Sequence, residues 1–179
     1  MKAIDKDGLL LCDVQAKTFE LSVDKTELGS AGFVRRFMNS RVAKWMDNGG
    51  ILSSNMQPSD LLELVEEQYG PSEYGSKKYT HNEMFWIGYV YRYYSYTYEK
   101  TSASIYREIK PKELRDLYLP YHTLDPSQAI ERILEAKGTK ADSENDLLRQ
   151  YEIYRKIRGS YGAQDSQVSL EIAESADSE

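Results

Sequence analysis

The side chains most readily suited to chemistry at neutral pH are His81, His122 and Cys12, the only histidines and the only cysteine in the 179 residues. The histidines are not spaced to share a metal on one helix face, and no second thiolate is available, so no metal site and no cofactor are expected. His122 stands three residues before Asp125 and could act as a general acid or base oriented by a carboxylate. A packed or hydrogen-bonding loop histidine is the simpler reading. Cys12 follows Leu9, Leu10 and Leu11, which suits a core cysteine better than a nucleophile. Glycine-rich phosphate loops, the serine elbow and paired motif carboxylates are all missing from the sequence. No catalytic residue is therefore assigned, and a non-enzymatic role is expected.

Helical periodicity dominates the chain that would have to position these residues. An apolar series from Leu9 through Val14, Phe19 and Leu21 predicts an N-terminal helix within residues 1–29, although its end also permits a short strand. Phe33, Val34, Phe37, Met38, Val42, Trp45 and Met46 recur at spacings of three and four, predicting one helix that stops at Asn48, Gly49 and Gly50. A third helix starts near Pro58 and ends at Gly70. Residues 71–79 then form a polar loop, the best internal candidate for mobility.

Thr80 and Glu83 form a capping box that opens a tyrosine-rich helix over about 81–100. Its face Met84, Ile87, Tyr91, Tyr94 and Tyr98 is expected to be buried. Short helices follow near 103–109 and 112–119, the second ended by Pro120. Asp125 and Pro126 start another, with Ala129, Ile130, Ile133 and Leu134 as its stripe and Gly138 as its stop. A last helix is predicted over 143–158. The expected fold is all-α, an irregular bundle of about six to seven helices around the tyrosine-rich one. Residues 1–160 would form one domain, and 161–179 an acidic, disordered tail.

Six tyrosines crowd the central helix, and tyrosine suits interfaces as well as cores. Tyr89, Tyr93 and Tyr96, with Arg92 nearby, are the candidate partner-binding residues. Arg35 and Arg36 join them from a second basic cluster that includes Arg41, Lys44 and Trp45; most such clusters are a solvated face, and a partner with an acidic surface is the sharper alternative. The alternative is a helix-turn-helix DNA-binding regulator over residues 81–119, with Arg107, Lys110, Lys112 and Arg115 on phosphates. Net charge weakens it, since residues 99–116 carry five basic against four acidic side chains.

Overall charge is −6, of which the acids of residues 162–179 contribute −5, leaving about −1 for the rest. No stretch is long and apolar enough for a membrane span, no secretory leader is evident, and a single cysteine suits a reducing cytoplasm.

Four segments together resemble a known family: Phe33–Ser40, Phe85–Arg92, Lys110–Arg115 and Tyr121–Pro126 with Ala129–Arg132. The similarity covers residues 30–138 and is to small bacterial proteins associated with genes for ADP-ribosyltransferase-like toxins in toxin-antitoxin loci. That resemblance implies an antitoxin or accessory regulator that binds a neighbouring toxin, and it carries no catalytic residues with it.

Overall fold

The computed structural model of the chain describes residues 1–138 together with Leu148 and Tyr151. All regular structure among them is helical, as the periodicity predicts. The elements are α1 (Lys6–Lys25), α2 (Ser30–Met38), α3 (Arg41–Asp47), a 3₁₀ turn (Gly50–Ser53), α4 (Pro58–Tyr69), α5 (His81–Tyr98), α6 (Ser102–Glu108), α7 (Pro111–Tyr121) and α8 (126–138). Contacts divide the chain into a first unit, Met1–Glu131, and a second, Arg132–Glu179. Of the second, Leu148 and Tyr151 are helical and exposed. The acidic tail and most of the helix predicted over 143–158 lie outside the described residues.

The first unit is organised on α1 and α5, which run antiparallel. Asp5 and Gly8 meet Tyr96 near one end of the pair, Gln15 donates to the carbonyl of Gly88 at its middle (3.0 Å), and Asp24 pairs with His81 near the other end (2.8 Å). Gly88 permits the close approach, because a Cβ there would sit 2.9 Å from the Cα of Ala16 and 3.0 Å from the carbonyl oxygen of Gln15. Main chain cannot yield as a flexible side chain can. Gly88→Ala is therefore expected to destabilise the fold by about 1–3 kcal/mol through overpacking. Urea denaturation would show a lower midpoint, whereas an unchanged midpoint would contradict this packing.

Around that pair, Phe19 meets Phe33 and Phe37 edge-on at 5.5 and 4.9 Å between centroids, fastening α1 to α2. The capping box at α5 forms as predicted, the Glu83 amide donating to the Thr80 hydroxyl (3.2 Å) and the Thr80 amide to the Glu83 carboxylate (2.8 Å). Met84, Ile87, Tyr91 and Tyr94 are buried, as the stripe requires, and Tyr98 is half-buried. The N-terminal segment is helix rather than strand through Lys25.

Three expectations are corrected. The helix read from Phe33 to Met46 is two helices, because the Ser40 hydroxyl accepts from the Ala43 amide (3.1 Å) and starts α3 afresh. Pro120 lies inside the last turn of α7 rather than ending it, and the chain runs on to Tyr121. Leu9 and Leu10 are 46% and 52% exposed, although they open the apolar series. Gly138, the expected stop of α8, is the last of its described residues. The loop 71–79 is anchored as well: Gly29 and Ser30 donate to the carbonyls of Tyr74 and Lys77, the Tyr79 amide donates to the Ser30 hydroxyl, and Lys78 donates to the Thr26 carbonyl at the end of α1.

Candidate functional site

The α5 residues expected to meet a partner do not form one surface. Arg92 is 1% exposed and ties four helices together. Its Nε donates to Gln15 Oε1 (2.9 Å), one terminal nitrogen to Asp47 Oδ1 (2.7 Å) and the other to Ser102 Oγ (3.0 Å). Asp47 is met in addition by the amide of Ser102 (2.9 Å) and its hydroxyl (2.6 Å). Burial pulls the Arg92 pKa below its usual value, and the Asp47 charge opposes that fall. Tyr93 is also buried, beside Ser127.

Tyr96 is half-buried and committed to the N-terminal segment, its hydroxyl donating to Asp5 Oδ1 (2.6 Å) and accepting from Lys2 Nζ (2.9 Å). Tyr89 is half-buried and stacks on Phe85 at 6.4 Å. The reason is topological: α1, α6 and α7 all pack on α5, so the sides left over from its predicted core stripe face other helices.

The residues with chemical potential are similarly engaged. His122 turns Nδ1 toward the carbonyls of Tyr118 and Leu119 (3.0 and 3.1 Å) and stacks on the Tyr118 ring. Asp125 accepts from the amide and hydroxyl of Ser127, capping α8. The two side chains are thus occupied separately rather than as a dyad. Cys12 is fully buried, and burial pushes its thiol up to about 12. A thiol-alkylating reagent is expected to leave Cys12 intact in the folded chain and to modify it only in denaturant. Labelling of the native chain as fast as of a free peptide would contradict that placement.

On the proposed nucleic-acid face, Arg115 is held by Glu83 (3.2 Å) and lies over the Tyr79 ring, and Lys110 covers Tyr106. Lys112 is near Asp116 (3.9 Å), while Arg107 and Lys110 are exposed without an ion pair among the described residues. Phosphate contacts need cations free to leave their own acids, and here Arg115 and Lys112 each stand beside one.

The second basic cluster fares differently. Arg36 donates to the Gly70 carbonyl (2.6 Å) and sits over the Tyr69 ring, so it closes the end of α4. Arg35 is exposed on α2. Arg41, Lys44 and Trp45 share one face of α3 at i, i+3 and i+4, while Val42, Ala43 and Met46 bury the opposite face. The side chains of Arg35, Arg41 and Lys44 make no ion pair or hydrogen bond among the described residues.

Trp45 and Arg41 line a groove of about 440 Å³ with Val42 of α3 and with Leu64, Glu67 and Gln68 of α4. The amide of Arg41 donates to Gln68 Oε1 (2.8 Å), pinning the two helices together at the groove. Gly50 leaves room for the indole, because a Cβ there would stand 2.2 Å from Nε1 and displace the ring. The indole N–H has no acceptor among the described residues. A half-buried tryptophan beside unpaired cations can receive an apolar knob and, next to it, a carboxylate.

Sequence reasoning noted the Trp45 cluster but not the wall that makes it a groove, and it missed Gln15, Asp47 and Ser102 as the partners of Arg92. Asp47 directly precedes the Asn48-Gly49-Gly50 stop and looks there like a turn residue. No local signal marks it. No helix among the described residues is long and apolar enough to cross a membrane. No family model matches the chain, nor does any curated protein or solved structure.

Proposed function

We propose that this chain is a non-enzymatic protein-binding regulator, an antitoxin or accessory protein of a toxin-antitoxin locus, that takes its partner in the Trp45 groove. The observation that carries the reading is the half-buried indole seated over Gly50 in an α3–α4 groove, flanked by Arg41 and Lys44 without ion pairs among the described residues. Tryptophan, tyrosine and arginine are the residue types most enriched among interface hot spots, tryptophan for its large area and arginine for its directional donors. The resemblance of residues 30–138 supports the toxin as the partner, and the unpaired cations support an acidic patch on it.

Co-expression with the neighbouring toxin-like gene tests this. Relief of growth arrest, with both chains eluting together on a sizing column, is the expected result. Persistent arrest with no co-elution would end the proposal.

A further inference from the structure

Helix α1 carries a second, self-complementary surface on the side away from α5. Asp7, Leu10, Val14 and Lys17 follow one another at spacings of three, four and three, the repeat of an antiparallel or parallel two-helix seam. Asp7 is exposed, Leu10 is 52% exposed, Val14 is half-buried and the Lys17 side chain is 54% exposed. Leu10 and Val14 form one wall of a cleft of about 450 Å³, whose other wall includes Leu52, Met56 and Pro58. Leu9, 46% exposed, lies beside the stripe. Ser54, Asn55 and Gln57 also line it, so exposed leucines at the edge of a mixed cleft make a knob and a hole on the same face. A two-fold axis brings such a face together with itself.

The charges choose among the possible registers. In a parallel pairing, Asp7 would face Asp7 and Lys17 would face Lys17. In an antiparallel pairing with Leu10 opposite Val14, each Asp7 faces the Lys17 of the other copy, so two ion pairs flank two apolar contacts. Sliding one heptad along sets Asp7 against Asp24, which is repulsive. Asp7 has no ion-pair partner among the described residues, and Lys17 holds Asp13 (2.7 Å) with one of its three donors, leaving two for another carboxylate.

We infer that the protein forms a two-fold homodimer through antiparallel α1 helices, with Leu10 packed on Val14 and Asp7 paired with Lys17 of the other copy. This surface is separate from the Trp45 groove, so the inference stands independently of the partner proposed above.

Sedimentation velocity on the full chain over a concentration series tests it. The unmodified chain is expected to pass from monomer to dimer, and Leu10→Glu to raise the dissociation constant at least tenfold with an unchanged helical circular dichroism spectrum. Asp7→Lys sets lysine against lysine, and Lys17→Glu sets acid against acid, so each variant alone is expected to be monomeric. Mixed in equal amounts they are expected to dimerise, because the introduced lysine of one chain then meets the introduced glutamate of the other, while the unchanged Lys17 of the first meets the unchanged Asp7 of the second.

The mixture separates a specific register from a folding defect. A wild-type chain that stays monomeric throughout, a dimer that survives Leu10→Glu or either charge change, or a mixture that fails to reassociate would each overturn the inference.

Discussion

Asp47→Ala is expected to lower the free energy of unfolding by about 3–5 kcal/mol, the largest loss foreseen for any single change in this protein. The side chain touches no apolar core of its own. Its removal matters because Arg92 is 1% exposed and Asp47 11% exposed, so the guanidinium would be left largely desolvated without its carboxylate. The Ser102 amide and hydroxyl lose their acceptor at the same time. Urea denaturation followed by circular dichroism would measure the shift in midpoint.

Adding Arg92→Met should recover part of the loss, since the buried charge is then gone and a methionine can fill its path between α1 and α6. The two changes should be strongly non-additive. A loss below about 1 kcal/mol for Asp47→Ala would mean that the pair behaves like an exposed ion pair and that the network does not hold the helices as argued.

The second large effect concerns binding. If the proposed complex with a toxin-like partner forms, Trp45→Ala is expected to weaken it by about 30-fold or more, corresponding to about 2 kcal/mol. Arg41→Glu should weaken it too, mainly by slowing association, and that part of the effect should diminish in high salt. Trp45 is only half-buried, and its α3 neighbours Val42, Ala43 and Met46 supply the buried face, so the alanine variant should retain the helical spectrum of the parent. A titration by calorimetry reads both constants. Undiminished affinity in a folded Trp45→Ala variant would move the partner to another face.

Much of the architecture is legible in the residues because helix boundaries are made by neighbours three or four positions apart. Thr80 and Glu83 satisfy each other across one turn, Asp125 reaches Ser127, and Pro58 and Pro111 occupy first turns where an amide is not needed. Ser40 is the instructive exception. The apolar spacing continues across it, but a hydroxyl able to cap α3 competes with continued helix, and periodicity carries no record of that competition.

That the fold is helical, where most helices begin, and which stripe of α5 is buried all follow from interactions within one or two turns, which residue order alone specifies. What the other sides of α5 do depends on how the helices pack. Helices packed around it turn Arg92 and Tyr93 inward and tie Tyr96 to the N-terminal segment. Arg92 finds its acid 45 positions away in Asp47, and Trp45 becomes a groove only when Leu64 and Gln68 arrive opposite it. Such pairings depend on how rigid helices dock, so no spacing along the chain encodes them.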